Sequence, residues 1–135
     1  MPATKSPGKA ARPRKTASRF RIKRIYEPAS KDDGLRVLVD RLWPRGIAKQ
    51  KAHIDLWLRD LSPSDALRRM LHADPAKWDE FVRAYGRELK QEPARTALAD
   101  LRKLPRGQPV TLLYAARDEA HNNAVALKHW LERAK

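Results

Sequence analysis

Two short runs of β-branched and aliphatic residues predict the inner strands of this chain. Residues 37–39 read VLV, and residues 110–116 read VTLLYAA. Runs that are apolar toward both sides are typical of strands buried on both faces of a sheet. We therefore predict one inner strand over residues 35–42 and a second over residues 110–116.

A looser alternation of apolar and basic residues precedes these runs. In residues 19–26, Phe20, Ile22 and Tyr26 fall on one side, and basic side chains fall between them. A period of two residues is typical of a strand with one exposed side, so we predict a strand near the edge of the sheet.

The residues between the predicted strands have apolar patterns that are typical of helices. Apolar positions three and four residues apart predict a short amphipathic helix near residues 50–60. Ser62-Pro63 and Asp74-Pro75 each combine an N-cap residue with a proline suited to a first turn, and predict two more helix starts. Further helices are predicted near residues 94–104 and from just after Asp118 to about Arg133. Strands separated by helices indicate an α/β fold, here a small, mostly parallel sheet of three or four strands flanked by helices.

The positive charge is concentrated at the N-terminus. The net charge of +14 comes from 30 Lys and Arg against 16 Asp and Glu, and nine of the basic residues lie in residues 1–24, where no acidic residue occurs. The 21 basic residues that remain exceed the 16 acidic ones by only five. Residues 1–18 have no large apolar residue after Met1, so we predict a disordered basic tail there and a folded domain over residues 19–135.

A tail of this composition has two interpretations. Its Lys and Arg side chains would release counterions from phosphates, which gives weak, salt-sensitive and non-specific nucleic-acid binding. Alternatively, the tail is a solubilising extension without a partner, since no aromatic residue lies between the charges to stack on bases.

The composition excludes several classes of site. The chain has no cysteine, which excludes disulfides, thiolate metal ligands and Cys nucleophiles. No apolar run approaches membrane-spanning length, so we expect a cytoplasmic protein with no membrane partner. The four histidines lack metal-ligand spacing and the five glycines do not cluster into a phosphate loop, so we expect neither a metal nor a cofactor.

The candidate functional site follows the first inner strand. Asp40, Arg41, Trp43 and Arg45 come directly after its buried run. If the two inner strands are parallel, this loop faces Tyr114 at one edge of the sheet, which is where open α/β sheets bind ligands. Arginines beside the N-terminus of the last helix suit a phosphate or a carboxylate. We therefore predict that an anionic small molecule, phosphate- or nucleotide-like, binds at this edge.

Several candidate residues also have a structural interpretation. Asp40 and Arg41 could form an ion pair that holds the strand end, and Trp43 could be a core residue or a lid rather than a stacking platform. Ser64 fits a helix start better than a nucleophile, because no G-x-S-x-G motif surrounds it. His121, in the predicted first turn of the last helix, could act as an acid or base near neutral pH.

A wider set of motifs resembles one known family. The motifs are VLVDRLWPRGI at residues 37–47, a segment around Trp57, PS and LR at 63–64 and 67–68, F-x-x-x-Y at 81–85, and TLLYAA at 111–116 with a following Asn. Over about residues 20–133 they resemble the YeaO-like family, the bacterial domain of unknown function 488. The resemblance implies a compact cytosolic α/β domain and no agreed activity.

The resemblance also marks individual residues. Combined with the strand-end argument, it makes Asp40 and Tyr114 candidate catalytic residues. The family motifs further include Pro44, Gly46 and Tyr85. The candidate ligand-binding residues are Arg41, Trp43, Arg45, Ser64, Arg68 and Asn122.

The chain departs from the family pattern in the last helix. The family often has Asn-His where this chain has Asn122-Asn123, with a histidine at position 121 instead. A catalytic imidazole is therefore not carried over to that turn.

Three functions are compatible with these features of the sequence. In the first, an enzyme or binding domain holds an anionic small molecule with its arginines, uses Asp40 as acid or base, and covers the site with Trp43. In the second, a nucleic-acid-binding accessory protein uses the basic tail and a basic face. In the third, the domain is a structural interaction module.

Overall fold

A four-stranded parallel sheet forms the centre of the fold. The computed structural model describes residues 19–133. Its strands are β1 (Phe20–Arg24), β2 (Leu35–Leu38), β3 (Leu56–Trp57) and β4 (Val110–Tyr114). They lie side by side in the order β1-β4-β2-β3, and every neighbouring pair is parallel. The predicted α/β fold is confirmed, and β1 lies at an edge of the sheet as predicted.

Five α-helices accompany the sheet within residues 19–133. They are α1 (Lys49–Ala52), α2 (Asp65–Ala73), α3 (Trp78–Glu88), α4 (Ala94–Arg102) and α5 (Asn123–Arg133). In these same residues no helix has the length and apolar character needed to cross a membrane. The basic tail predicted for residues 1–18 lies outside the described residues.

The pairing of β4 with β2 fixes the position of the candidate site. All five residues of β4 are buried, and Val37 of β2 lies opposite Leu112 of β4. Because the two strands run in the same direction, the residues that follow them emerge at the same edge, which we call the carboxyl edge. Asp40 meets Ala115 there, next to Tyr114, the residue predicted to lie opposite this loop.

The two faces of the sheet are covered by different kinds of structure. Successive residues of a strand point to opposite faces. The helix-covered face carries Val37, Leu112 and Tyr114 and packs against the apolar sides of α2 to α5. The loop-covered face carries Leu38 and Leu113. The side chains packed on it come mainly from the chain between β2 and β3: Trp43, Ile47, Ile54 and Trp57.

The predicted amphipathic helix near residues 50–60 is wrong. The short helix α1 ends at Ala52, and the chain then forms the edge strand β3, in which Trp57 lies beside Leu38 of β2. Ile54 and Trp57 pack on the loop-covered face, whereas Leu58 packs on the helix-covered face. Apolar spacing alone cannot identify so short a strand, because its residues also fit a helical period.

Three predicted boundaries differ from those in the structure. The strand predicted over residues 35–42 ends at Leu38. Ser64 rather than Ser62 caps α2, since its Oγ accepts a hydrogen bond from the backbone N–H of Leu67 at 3.3 Å. The last helix begins at Asn123 rather than just after Asp118.

Candidate functional site

Asp40 lies at the centre of the carboxyl edge. Its Oδ2 accepts a hydrogen bond from the backbone N–H of Ala115 at 3.0 Å, and its Oδ1 accepts one from Asn123 Nδ2 at 2.9 Å. The same Asn123 amide donates to the carbonyl of Val39, and Trp57 Nε1 donates to the carbonyl of Asp40. The end of β2 is therefore joined to β4, to α5 and to β3 through one residue.

Burial raises the pKa of Asp40 above its usual value of 3.8. The hydrogen bonds from Asn123 and Ala115 and the positive charge of Arg68 act in the opposite direction without cancelling this effect. A partly buried carboxyl with a raised pKa is a recognised property of acid–base sites, and it also occurs in structural hydrogen-bond networks.

Two arginines converge on one carboxylate beside Asp40. Arg41 Nη1 and Arg68 Nη1 lie 2.8 and 2.7 Å from the same oxygen, Oδ1 of Asp65. The side chains of Arg41 and Arg68 remain 49% and 45% exposed. The predicted ion pair between Arg41 and Asp40 is replaced by the pair with Asp65, since both Asp40 oxygens accept hydrogen bonds from other groups.

Hydrogen bonds with residues of α3 hold the start of α2 in place. The backbone N–H of Ser64 donates to Glu88 Oε1 at 2.9 Å, and the Tyr85 hydroxyl donates to the carbonyl of Leu61. Burial raises the pKa of Tyr85, and the negative charges of Glu88 and Asp40 raise it further, so its hydroxyl stays protonated. Ser64 therefore serves as the N-cap of α2, and its position brings Arg68 to the carboxyl edge.

Tyr114 and Asn122 lie together beneath the start of α5. Both are buried, and their side chains hydrogen-bond. Asn122 Nδ2 donates to the carbonyl of Asp118, and Asn122 Oδ1 accepts from the N–H of Val125, as an N-cap does. Burial raises the pKa of Tyr114. These contacts place both residues in the support of the carboxyl edge.

The turn before α5 already uses part of its N–H donors. Asp118 Oδ1 accepts from the backbone N–H groups of Ala120 and His121, each at 2.9 Å. These two hydrogen bonds lower the pKa of Asp118. This aspartate therefore occupies two of the N–H donors in the turn that leads into α5.

Trp43 and Arg45 lie on the loop-covered side. Trp43 Nε1 donates to the carbonyl of Ile47, and its ring packs edge-on against Trp57 with centroids 5.4 Å apart. Trp43 is therefore a partly buried residue that packs against the core of that side. Arg45 is exposed, and its carbonyl accepts a hydrogen bond from the Tyr26 hydroxyl. The predicted site residues thus separate into a cluster around Asp40, a buried pair at Tyr114, and a loop at Trp43.

Sequence reasoning missed two residues that contact the cluster. Asn123 holds Asp40, and Asp65 holds both arginines. In the sequence, Asn123 is notable only as a departure from a family pattern, and Asp65 is not among the predicted site residues. Asn123 and Asp40 are 83 residues apart, so no local spacing identifies their contact. Asp65 and Arg68, by contrast, lie three residues apart on α2, a spacing typical of an ion pair on a helix. In residues 19–133 no three His, Asp or Glu side chains come together as metal ligands.

Comparison with known proteins places the chain in a family. The model of a family described as "Inactive DUF488-N3 subclade" matches residues 19–135. The uncharacterized protein YeaO of Escherichia coli (strain K12) is 44% identical over 113 residues, which is 83% of this chain and 96% of that protein. The chain belongs to the YeaO-like DUF488 family. The resemblance noted in the sequence is thereby confirmed.

Mycobacterial relatives of this YeaO-like domain have similar coverage. The uncharacterized proteins Mb3100c of Mycobacterium bovis and Rv3073c of Mycobacterium tuberculosis (strain ATCC 25618 / H37Rv) are each 42% identical over 114 residues, covering 84% of this chain and 94% of the relative. No solved structure matches the chain significantly. The names of these relatives assign no activity.

Proposed function

We propose that this YeaO-like domain binds a small anion, phosphate- or nucleotide-like, at the carboxyl edge, and that it binds this ligand without turning it over. The observation that carries the proposal is the convergence of Arg41 and Arg68 on a single oxygen of Asp65. Two guanidinium groups held at one point by one carboxylate present more positive than negative charge toward solvent.

The donors of these arginines favour an anionic ligand. A guanidinium has five N–H donors, and each of these two uses one on Asp65. The donors that have no partner among residues 19–133 match phosphate or carboxylate oxygens in paired geometry. Because both side chains are about half exposed, each contact contributes only about 1 kcal/mol, so free phosphate should bind weakly and a larger ligand more tightly.

Asp40 fits a positioning role in this proposal. Its two oxygens hold Ala115 and Asn123, so they fix the strand ends rather than face outward. Tyr114, the second candidate catalytic residue, is buried on the helix-covered face. The description of the matching family as inactive supports binding without catalysis.

Isothermal titration calorimetry of the full chain with inorganic phosphate and with AMP tests this proposal. We expect saturable binding that Arg68→Gln weakens about fivefold, which corresponds to ~1 kcal/mol. Arg95→Gln is the matched control, since Arg95 forms an exposed ion pair with Glu92 three residues away. Absence of binding to both ligands, or equal weakening by the control, would refute the proposal.

The basic tail supports a second candidate, weak binding of nucleic acid. Residues 1–18 contain five Lys and Arg and no acidic residue. A gel shift at rising salt, on the chain with and without residues 1–18, separates this candidate from the first. Affinity that disappears with the tail assigns nucleic-acid binding to the tail alone. A domain that serves only as a structural interaction module would bind neither nucleic acid nor phosphate nor AMP.

A further inference from the structure

A cavity on the loop-covered face is separate from the proposed anion site. Its volume is about 260 Å³, and it lies between the chain that follows β1 and the chain that leads into α1. The apolar side chains of Ile25 and Ile47 line it, together with Arg36, Lys51 and Glu27. None of the residues clustered around Asp40 lines it.

Arg36 is a buried charged residue in the wall of this cavity. Its side chain is held on three sides, because Nε donates to the carbonyl of His53 at 2.8 Å, Nη2 to the carbonyl of Ala52 at 3.0 Å, and Nη1 to Asp33 Oδ2 at 2.6 Å. The residue is only 5% exposed. A guanidinium has five N–H donors, so two remain without a partner among residues 19–133.

The charges around Arg36 do not balance. Asp33 pairs with both Arg36 and Lys23, whose Nζ lies 3.0 Å from Asp33 Oδ1. The three side chains carry two positive charges and one negative charge, and all are largely shielded from water. Burying a net charge is unfavourable unless an opposite charge accompanies it.

Of the remaining charged groups, Lys51 and Glu27 offset each other, and Asp55 offsets the excess positive charge only from the solvent side. Lys51 adds a positive charge at the exposed side of the cavity, and Glu27 adds a negative one. Asp55 Oδ2 accepts a hydrogen bond from the backbone N–H of Arg36, and Asp55 is exposed to water. Arg36 therefore lines the cavity as a buried guanidinium with two N–H donors that have no partner among residues 19–133.

We propose that this cavity binds a small aliphatic carboxylate. A carboxylate group has two oxygens, which match the two N–H donors of Arg36, and its negative charge matches the net charge of +1 that the ion-paired side chains of Lys23, Asp33 and Arg36 carry together. Lys51 adds attraction at the entrance, and Ile25 and Ile47 provide the apolar contact for the body of the ligand. The volume is slightly below the range of drug-sized pockets, which selects a ligand of metabolite size.

An NMR titration of the ¹⁵N-labelled full chain tests this proposal with isovalerate as the probe and isovaleramide as its neutral counterpart. We expect isovalerate to shift the backbone amides of Ala48 and Lys51, both at the cavity, in a saturable manner. Isovaleramide should bind about tenfold more weakly, because a charge-assisted hydrogen bond is stronger than a neutral one.

Two variants and one control locate the site. Lys51→Glu should weaken isovalerate binding about fivefold, whereas Lys49→Glu, on the same helix but outside the cavity lining, should change it less than about twofold. Ala48→Trp should abolish binding by filling the cavity, with retained spectral dispersion showing that the domain still folds. No saturable shift with isovalerate, equal binding of isovaleramide, or equal effects of the two lysine variants would each overturn the proposal.

Discussion

The two faces of the sheet are stabilised in different ways. The helix-covered face is a continuous apolar cluster in which Val37 and Leu112 contact side chains from the helix layer. The loop-covered face has a smaller apolar cluster around Leu38 and Leu113. It also carries buried polar groups, including Thr111, whose Oγ1 donates to the carbonyl of Asp33 at 2.7 Å. The same strands therefore support close packing on one face and directed hydrogen bonds on the other.

This difference explains where the candidate sites lie. A helix layer buries the strands without leaving space, and close packing of that kind resists insertion of a ligand. Loops that are held by single side chains leave cavities and exposed donors. The cavity beside Arg36 is on the loop-covered face, and the arginines near Asp40 are where the loop after β2 meets the start of α2.

Removing Asp33 should produce the largest loss of stability. Asp33→Asn leaves Lys23 and Arg36 buried without a countercharge, and such a change costs about 3–5 kcal/mol. Chemical denaturation at neutral pH measures this loss. A cost below about 1 kcal/mol would contradict the view that polar pairing stabilises the loop-covered face.

The loss of stability caused by Asp33→Asn should depend on pH. Burial raises the pKa of Asp33, but hydrogen bonds from Ser30, Lys23 and Arg36 together lower it below 3.8. A carboxyl with a lowered pKa contributes stability that is present above its usual pKa and is lost as the pH falls through the folded value. The difference in stability between the natural chain and Asp33→Asn should therefore narrow below pH 3.8.

Leu112 and Leu113 allow the two faces to be compared within one strand. Both are 0% exposed, but Leu112 faces the helix layer and Leu113 faces the loops. Leu112→Ala should cost about 3–4 kcal/mol and Leu113→Ala about 2 kcal/mol, because loops collapse into a new cavity more readily than packed helices do. Denaturant midpoints of the two variants check this, and a larger cost for Leu113→Ala would reverse the comparison.

The sequence predicted the fold better than it predicted the site. The apolar runs that became β2 and β4 identified the inner strands, and their parallel pairing brought Asp40 to Ala115. The two-residue strand β3 was missed because Ile54 and Trp57 also fit a helical spacing.

The site was predicted only in part because its contacts are long-range. The residues after β2 begin at the carboxyl edge as expected, but Trp43 packs, partly buried, against the core of the loop-covered side. The contact of Asn123 with Asp40 spans 83 residues, and no local pattern encodes it. Ser64 has a clear structural role because its N-cap chemistry is local and readable from the sequence.

The measurement that tests the proposed anion site most directly is the pKa of the Asp40 carboxyl, followed by ¹³C NMR with and without inorganic phosphate. Burial should hold this pKa above 3.8 in the free protein, and phosphate bound beside Arg68 should raise it further, because a nearby negative charge disfavours the carboxylate. By reciprocity, phosphate should bind more tightly when Asp40 is protonated. An Asp40 pKa that phosphate leaves unchanged at saturating concentration would contradict an anion site at the carboxyl edge.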